Sequence, residues 1–143
     1  MLDYLIRGGS LVDGSGAMRR TADLGIKDGR IVAIGKLSEA ARRTIHADGL
    51  IVSPGFVDGH THMDAQVMWD PLGSCSCFHG VTSVVMSNCG FTLSPCKAQD
   101  RDWYARSLSY VEDISVDAMR EGIDWTWESF AEYQDAVRRR PKA

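Results

Sequence analysis

The sequence predicts an α/β chain with a parallel sheet, preceded by a smaller all-β unit, and three observations carry that prediction. Residues 1 to about 52 hold only short apolar runs closed by Gly and Asp-Gly turns. After them, strand-like and helix-like segments follow in the order β, α, β, α. Between those segments the run "VTSVVMS", residues 81–87, is apolar and rich in β-branched residues, in the manner of a strand covered on both faces.

Taken in order, "YLIRGG" and "SLVDGSG" read as short strand pieces that end at turn residues. "LGIKDGRIVAIG" reads as two apolar runs joined at Asp28-Gly29, a hairpin signal because both central positions of a type I′ turn need positive φ. About fifty residues of short strands bury little area and leave edges unpaired, so this unit is expected to need partner strands from elsewhere. From residue 50, "LIVSPGFVDGHTH" is expected to become a strand whose period-2 face carries Phe56, Asp58, His60 and His62. A connection through "WDPLGSCSCFHG" leads to the strand at 81–87. The segments "DRDWYARSLSYVED" and "WESFAEYQDAVRRR" then have helical periodicity. Trp103, Tyr104, Leu108 and Val111 are expected on one face of the first, and Phe130, Tyr133 and Val137 on one face of the second. Acidic residues open the second helix and arginines close it, as the helix dipole favours.

The 143 residues suit one ordinary domain, and 44% hydrophobic with 24% charged residues is a globular balance. A net charge of -3 gives no basic footprint for nucleic acid, and "RRRPK" at 138–142 reads as a solvated helix end. "MLDYLIRGG" lacks the pattern of a signal peptide and no run has the length of a membrane span, so the expectation is a cytoplasmic protein without a membrane or nucleic-acid partner. In that setting Cys75, Cys77, Cys89 and Cys96 are expected as free, buried, catalytic or metal-bound thiols.

The stretch "SPGFVDGHTHMDAQ", residues 53–66, concentrates two of the four histidines within three positions. Histidines at i and i+2 on one strand stand about 6.5–7 Å apart along the backbone, close enough for both rings to lean toward one cation over the strand end. The strand at 81–87 is followed by "NCG", which offers a thiol, Cys89, in a loop. Ligand-type residues that follow parallel strands meet at the carboxyl edge of the sheet, where active sites of such folds lie. His60, His62 and Cys89 are therefore the candidate metal ligands. Asp58 is a candidate to orient one of the histidines from behind, or else a structural carboxylate. His46 is expected at the surface and His79 in a connection.

Together, "VSPGFVDGHTHMDAQVMWDP", "HGVTSVVMSNCGF" and "VEDI…EGIDWTWESFAEYQDAVRRRP" resemble the N-terminal portion of N-acyl-D-amino-acid deacylases (D-aminoacylases), a branch of the metal-dependent amidohydrolase superfamily. The resemblance covers almost the whole chain. It implies a composite β-sandwich to which residues 1–52 contribute the N-terminal part. It also implies a (β/α)8 metal-dependent hydrolase barrel, of which residues 53–143 form the first two β/α units. It implies one or two zinc ions held in part by His60, His62 and Cys89, and hydrolysis of the linear amide of a small-molecule N-acyl-D-amino acid. The remaining metal ligands and the general base are expected on later strands, so this chain is expected to carry no catalytic base, to be inactive alone, and to self-associate through exposed barrel edges. The stretch "CSCFHGVT" departs from the family's usual pattern before His-Gly, which bears on the substrate entrance and not on the ligands.

Three other readings compete. One is a cyclic-amide hydrolase or deaminase of the same superfamily, although nothing after residue 89 presents the carboxylated-lysine pattern of the cyclic-amide branch. Another is a non-catalytic partner module, and the third a small zinc module built from Cys75, Cys77, His79 and Cys89.

Overall fold

The computed structural model describes residues 1–142. The chain forms two compact units, one from Met1 to Pro54 and the other from Gly55 onward.

The first unit is a five-stranded mixed sheet. Strand β1 (Leu2–Leu11) is central; β2 (Arg20–Lys27) pairs with it antiparallel, and β3 (Arg30–Gly35) extends that edge. On its other edge β1 pairs in parallel with β4 (Ala41–His46) and β5 (Ile51–Val52). The two pieces expected from "YLIRGG" and "SLVDGSG" are one strand. The Gly8-Gly9 pair that reads as a stop is a bulge, and the pairing with β2 shifts register between Ile6 and Gly9. Both glycines are required sterically: Gly8 has φ +74, and a Cβ on Gly9 would lie 2.4 Å from Val52 Cγ2. The Asp28-Gly29 hairpin forms as expected, with φ 50 and 70 at its two central residues. Leu5 and Leu24 lie buried in this unit, while Ile31, Val32 and Ile34 of β3 are exposed.

The second unit begins with β6 (Phe56–Asp58), then α1 (Met63–Gln66), α2 (Ser74–Phe78) and β7 (Val81–Val84). Three helices follow: α3 (Arg101–Glu112), α4 (Val116–Gly122) and α5 (Phe130–Arg138). β6 and β7 pair in parallel, with Gly55 so close to β7 that a Cβ there would lie 2.1 Å from Thr82 Cγ2.

The histidine-bearing strand is much shorter than its sequence pattern suggests. Pro54 separates β5 from β6, and β6 ends at Asp58, whose carbonyl accepts from Val85 N; beyond Gly59 the chain turns, and His62 becomes the residue before α1. β7 likewise stops at Val84, and Thr82, Ser83 and Val84 are exposed. The short helices α1, α2 and α4 lie in segments with too few turns to show a periodic pattern.

The core of the second unit gathers α1, α3, α4 and α5 around Trp127, Met119 and Leu93. Trp127 is fully enclosed, and its indole N–H donates to Leu93 O at 2.9 Å, which satisfies its polar edge. Two predicted helix faces are shifted. In α3 the buried residues are Ala105 and Leu108, while Trp103 and Val111 face solvent; in α5 they are Tyr133 and Ala136, while Phe130 is exposed. Ala105 and Ala136 both belong to the buried cluster around Trp127, so small residues take the inward positions expected for the aromatic ones. The start of α5 is set by a capping box in which Ser129 and Glu132 satisfy each other's backbone N–H groups. Hydrogen bonds from Ser129 and Glu128 hold the Glu132 carboxyl down at a pKa of about 2. No helix among the described residues is long and apolar enough to cross a membrane.

Candidate metal centre

The site lies where β6 and β7, running in parallel, both hand over to loops. His60 and His62 sit two and four residues past the end of β6, and Cys89 five past the end of β7. Their ligand atoms lie within 4.8 Å of one another. His60 and His62 stack with ring centroids 5.5 Å apart and planes 7° from parallel, and Cys89 Sγ lies 3.8 Å from His62 Nδ1. The convergence expected from a period-2 strand face is thus achieved differently, by two loops leaving the same sheet edge.

Those loops are laced together. Thr61 N and Thr61 Oγ1 both donate to Val85 O, at 3.2 and 2.9 Å, and Asn88 Nδ2 donates to Gly59 O at 2.7 Å. Ser87 takes φ 65 and Gly90 φ 89, so the chain doubles back around Cys89. The tightest fastening is Asp64, which is 1% exposed. Its carboxylate accepts from Ser87 N at 3.1 Å, Ser87 Oγ at 2.5 Å and Thr92 Oγ1 at 3.1 Å. Asp64 stands two residues after His62, and Ser87 two before Cys89, so this cluster fixes the histidine loop against the thiol loop. Tyr133 closes the back by donating from its hydroxyl to Asp64 O at 2.9 Å, and burial pushes that phenol above its ordinary pKa.

Asp58 and Glu112 differ in what they reach. Asp58 Oδ1 accepts from the main-chain N–H of His60 at 3.2 Å, so its contact is with the backbone and not an imidazole ring. The carboxylate that meets an imidazole belongs to Glu112, whose Oε1 is paired with His62 Nδ1. Sequence reasoning missed Glu112, although a carboxylate in the last turn of a helix, against the dipole, is a readable signal.

The proposed cysteine module does not assemble. Cys75 and Cys77 lie exposed on α2 and His79 is exposed at its end, while Cys89 has joined the two histidines. His46 is exposed at the end of β4.

The three convergent donors fit a metal ion. Imidazole nitrogens and a thiolate are the donor set of zinc, at about 2.0–2.1 and 2.3 Å, and atoms already within 4.8 Å of one another need only small side-chain movements to share one ion.

Residues 43–142 match the model of the amidohydrolase family. The chain belongs to that family. Its amidohydrolase relatives include the D-aminoacylase of Alcaligenes xylosoxydans xylosoxydans, 40% identical over 143 residues, or 99% of this chain and 27% of that protein. Among solved amidohydrolase structures, a D-aminoacylase studied for the role of its binuclear metal centre matches at 35% identity and a TM-score of 0.76, over 96% of this chain and 27% of that one. The N-acyl-D-glutamate deacylase of Bordetella bronchiseptica, solved with zinc and a phosphonate inhibitor, matches at 38% identity and a TM-score of 0.64, over 76% of this chain and 27% of its own. The motif resemblance to the deacylase branch and these relatives agree. This chain spans 27% of the length of each of the three.

Proposed function

We propose that this chain provides the metal-binding edge of a zinc-dependent amidohydrolase that cleaves the linear amide of N-acyl-D-amino acids. The observation that carries the reading is the meeting of His60, His62 and Cys89 at the carboxyl edge of the β6–β7 pair, in a chain of the amidohydrolase family. A zinc ion, when bound, supplies Lewis acidity that polarises an amide carbonyl and acidifies water. The histidines provide nitrogen lone pairs, and the Cys89 thiolate brings negative charge that favours a cation. Asp64, Ser87, Thr92 and Asn88 keep the two donor loops in register, which lowers the cost of organising the site when the ion enters.

In this reading β6, β7 and the helices between and after them are the first two units of a (β/α)8 barrel. The exposed apolar surface of β7, with Met63 and Leu72 beside Val81 and Val84 in one groove, is where further barrel elements would pack. The sheet of residues 1–52 is correspondingly one part of a composite β-sandwich, whose remaining strands would cover Ile31, Val32 and Ile34. The proton-transferring carboxylate and the other metal donors belong to later barrel strands. Isolated chains are expected to pair through the exposed edges.

The test combines metal content with turnover. Purified chain should retain zinc, and a His60→Ala, His62→Ala double variant should not. N-acetyl-D-amino acids should be hydrolysed by a polypeptide in which the remaining barrel strands follow this chain, and the same double variant should abolish that activity. Zinc bound equally by both forms would overturn the metal assignment. Hydrolysis of cyclic amides in place of the linear substrate would overturn the substrate assignment.

A further inference from the structure

Between Asp58 and Thr61 the pairing of the two strand ends gains one residue. Val85 N donates to Asp58 O at 2.8 Å, and an unbroken parallel ladder would next bring the N–H of His60 to Val85 O. Thr61 N takes that place instead, at 3.2 Å, so Gly59 and His60 together fill the space of one residue, in the manner of a β-bulge. The His60 N–H displaced from the ladder donates to Asp58 Oδ1 at 3.2 Å, and the Gly59 carbonyl accepts from Asn88 Nδ2 at 2.7 Å. Thr61 adds a second bond to the same acceptor, from Oγ1 to Val85 O at 2.9 Å, and its side chain is buried while His60 before it is exposed and His62 after it half-buried.

We infer that Thr61 and Asp58 are positioning residues of the metal centre: they hold the inserted residue in place and so keep the histidine pair against the Cys89 loop. The inference rests on the metal reading of His60, His62 and Cys89. The Thr61 hydroxyl anchors the middle of the pair to the sheet edge, and the rings on either side of it stack 5.5 Å apart with planes 7° from parallel. Its acceptor, Val85, stands four residues before Cys89, so the anchor joins the histidine segment to the segment that carries the thiol. The competing arrangement is the plain ladder, in which His60 N moves onto Val85 O. A slip of one residue turns each following side chain to the other face of the strand, which would take His62 away from Cys89. Against that slip stand the Thr61 hydroxyl, which the plain ladder would not use, and the Asp58 carboxylate, which satisfies the His60 N–H only when the extra residue is present. Removing either leaves the ion to impose the bulge itself, and affinity falls by up to the worth of one hydrogen bond, about 2–10-fold.

The experiment is a zinc titration of the chain in competition with a chromophoric chelator, for wild type, Thr61→Val, Thr61→Ser, Asp58→Ala, His60→Ala and Ile123→Val. Thr61→Val keeps the shape and loses the hydroxyl, and should bind zinc about 2–10-fold more weakly. Thr61→Ser keeps the hydroxyl and should bind as wild type does. Asp58→Ala should weaken binding in the same range as Thr61→Val, and it decides the matter if circular dichroism shows Thr61→Val to be unfolded. Ile123→Val trims the buried core of the same unit, at a cost to stability comparable with the loss of a hydrogen bond, and should leave zinc affinity unchanged. Wild-type affinity in Thr61→Val and Asp58→Ala, with binding lost in His60→Ala, would overturn the positioning role and leave the metal reading intact. Equal losses in Thr61→Ser and Thr61→Val, or in Ile123→Val and Thr61→Val, would also overturn it, since the hydroxyl would then not be the agent. A wild-type chain that binds no zinc would remove the metal reading and this inference together.

Discussion

Replacing Asp64 by alanine should damage both the stability of the second unit and the geometry of its donor loops, and the size of the effect follows from which partners can find substitutes. The carboxylate is 1% exposed and accepts from Ser87 N, Ser87 Oγ and Thr92 Oγ1. The Thr92 hydroxyl lies 3.2 Å from Ser94 O and can turn to it, and Ser87 Oγ remains 2.9 Å from Thr92 Oγ1. The Ser87 N–H has no such alternative. The loss is therefore about one charge-assisted hydrogen bond plus one half-buried donor left without a protein partner, or ~2–3 kcal/mol for Asp64→Ala, whereas Asp64→Asn keeps one acceptor and should cost ~1–2 kcal/mol. Urea unfolding of the chain measures the difference directly, with the midpoint falling and the slope unchanged. In a thermal melt each kcal/mol lowers the midpoint by about 4–8 °C for a domain of this size. An Asp64→Ala variant within ~0.5 kcal/mol of wild type, the ordinary range for a surface change, would refute the claim that this cluster fastens the loops.

Three further outcomes are expected. The Glu132 carboxyl, held at about 2 by the capping box against 4.5 unperturbed, contributes stability that is present above the unfolded value. That contribution should be lost as pH falls from about 4.5 to about 2, and Glu132→Gln should flatten this part of the pH–stability curve; equal acid sensitivity in the two forms would contradict it. Gly55→Ala would place a Cβ 2.7 Å from Thr82 Cβ, and should cost ~1–3 kcal/mol by overpacking, with Thr82→Ser or Thr82→Ala in the same chain recovering part of it. Trp127→Ala should cost ~3–5 kcal/mol in the same unfolding assay, since the ring is buried and its N–H engaged; a loss under 1 kcal/mol would place Trp127 outside the core.

Much of the site was legible because its chemistry is concentrated in short motifs. The His-x-His pair and the Asn-Cys-Gly loop each follow an apolar β segment, and a parallel sheet brings such loops together. What misled was the periodicity. Phe56, Asp58, His60 and His62 alternate as a strand would, yet pairing with β7 supports only Phe56–Asp58, because past Gly59 the backbone turns to seat Thr61 on Val85 O. The glycines at 8 and 9 misled in the opposite direction, since a bulge and a stop look alike in one sequence and only the approach of Val52 and Asp48 tells them apart. Trp103 and Phe130 read as inward on apolar character, but the buried positions are Ala105 and Leu108 in α3 and Tyr133 and Ala136 in α5, and both rings are exposed. Glu112 could not be tied to His62 from sequence because fifty residues separate them and only the packing of α3 brings its end to the sheet edge.

The central claim is that His60, His62 and Cys89 hold one metal ion together. X-ray absorption at the zinc edge on the zinc-loaded chain tests it most directly. The prediction is a mixed shell with a single sulfur at about 2.3 Å and nitrogen neighbours at about 2.0–2.1 Å, the sulfur vanishing in Cys89→Ala. A shell of two or more sulfurs that survives Cys89→Ala would assign the metal to Cys75 and Cys77 and contradict the account.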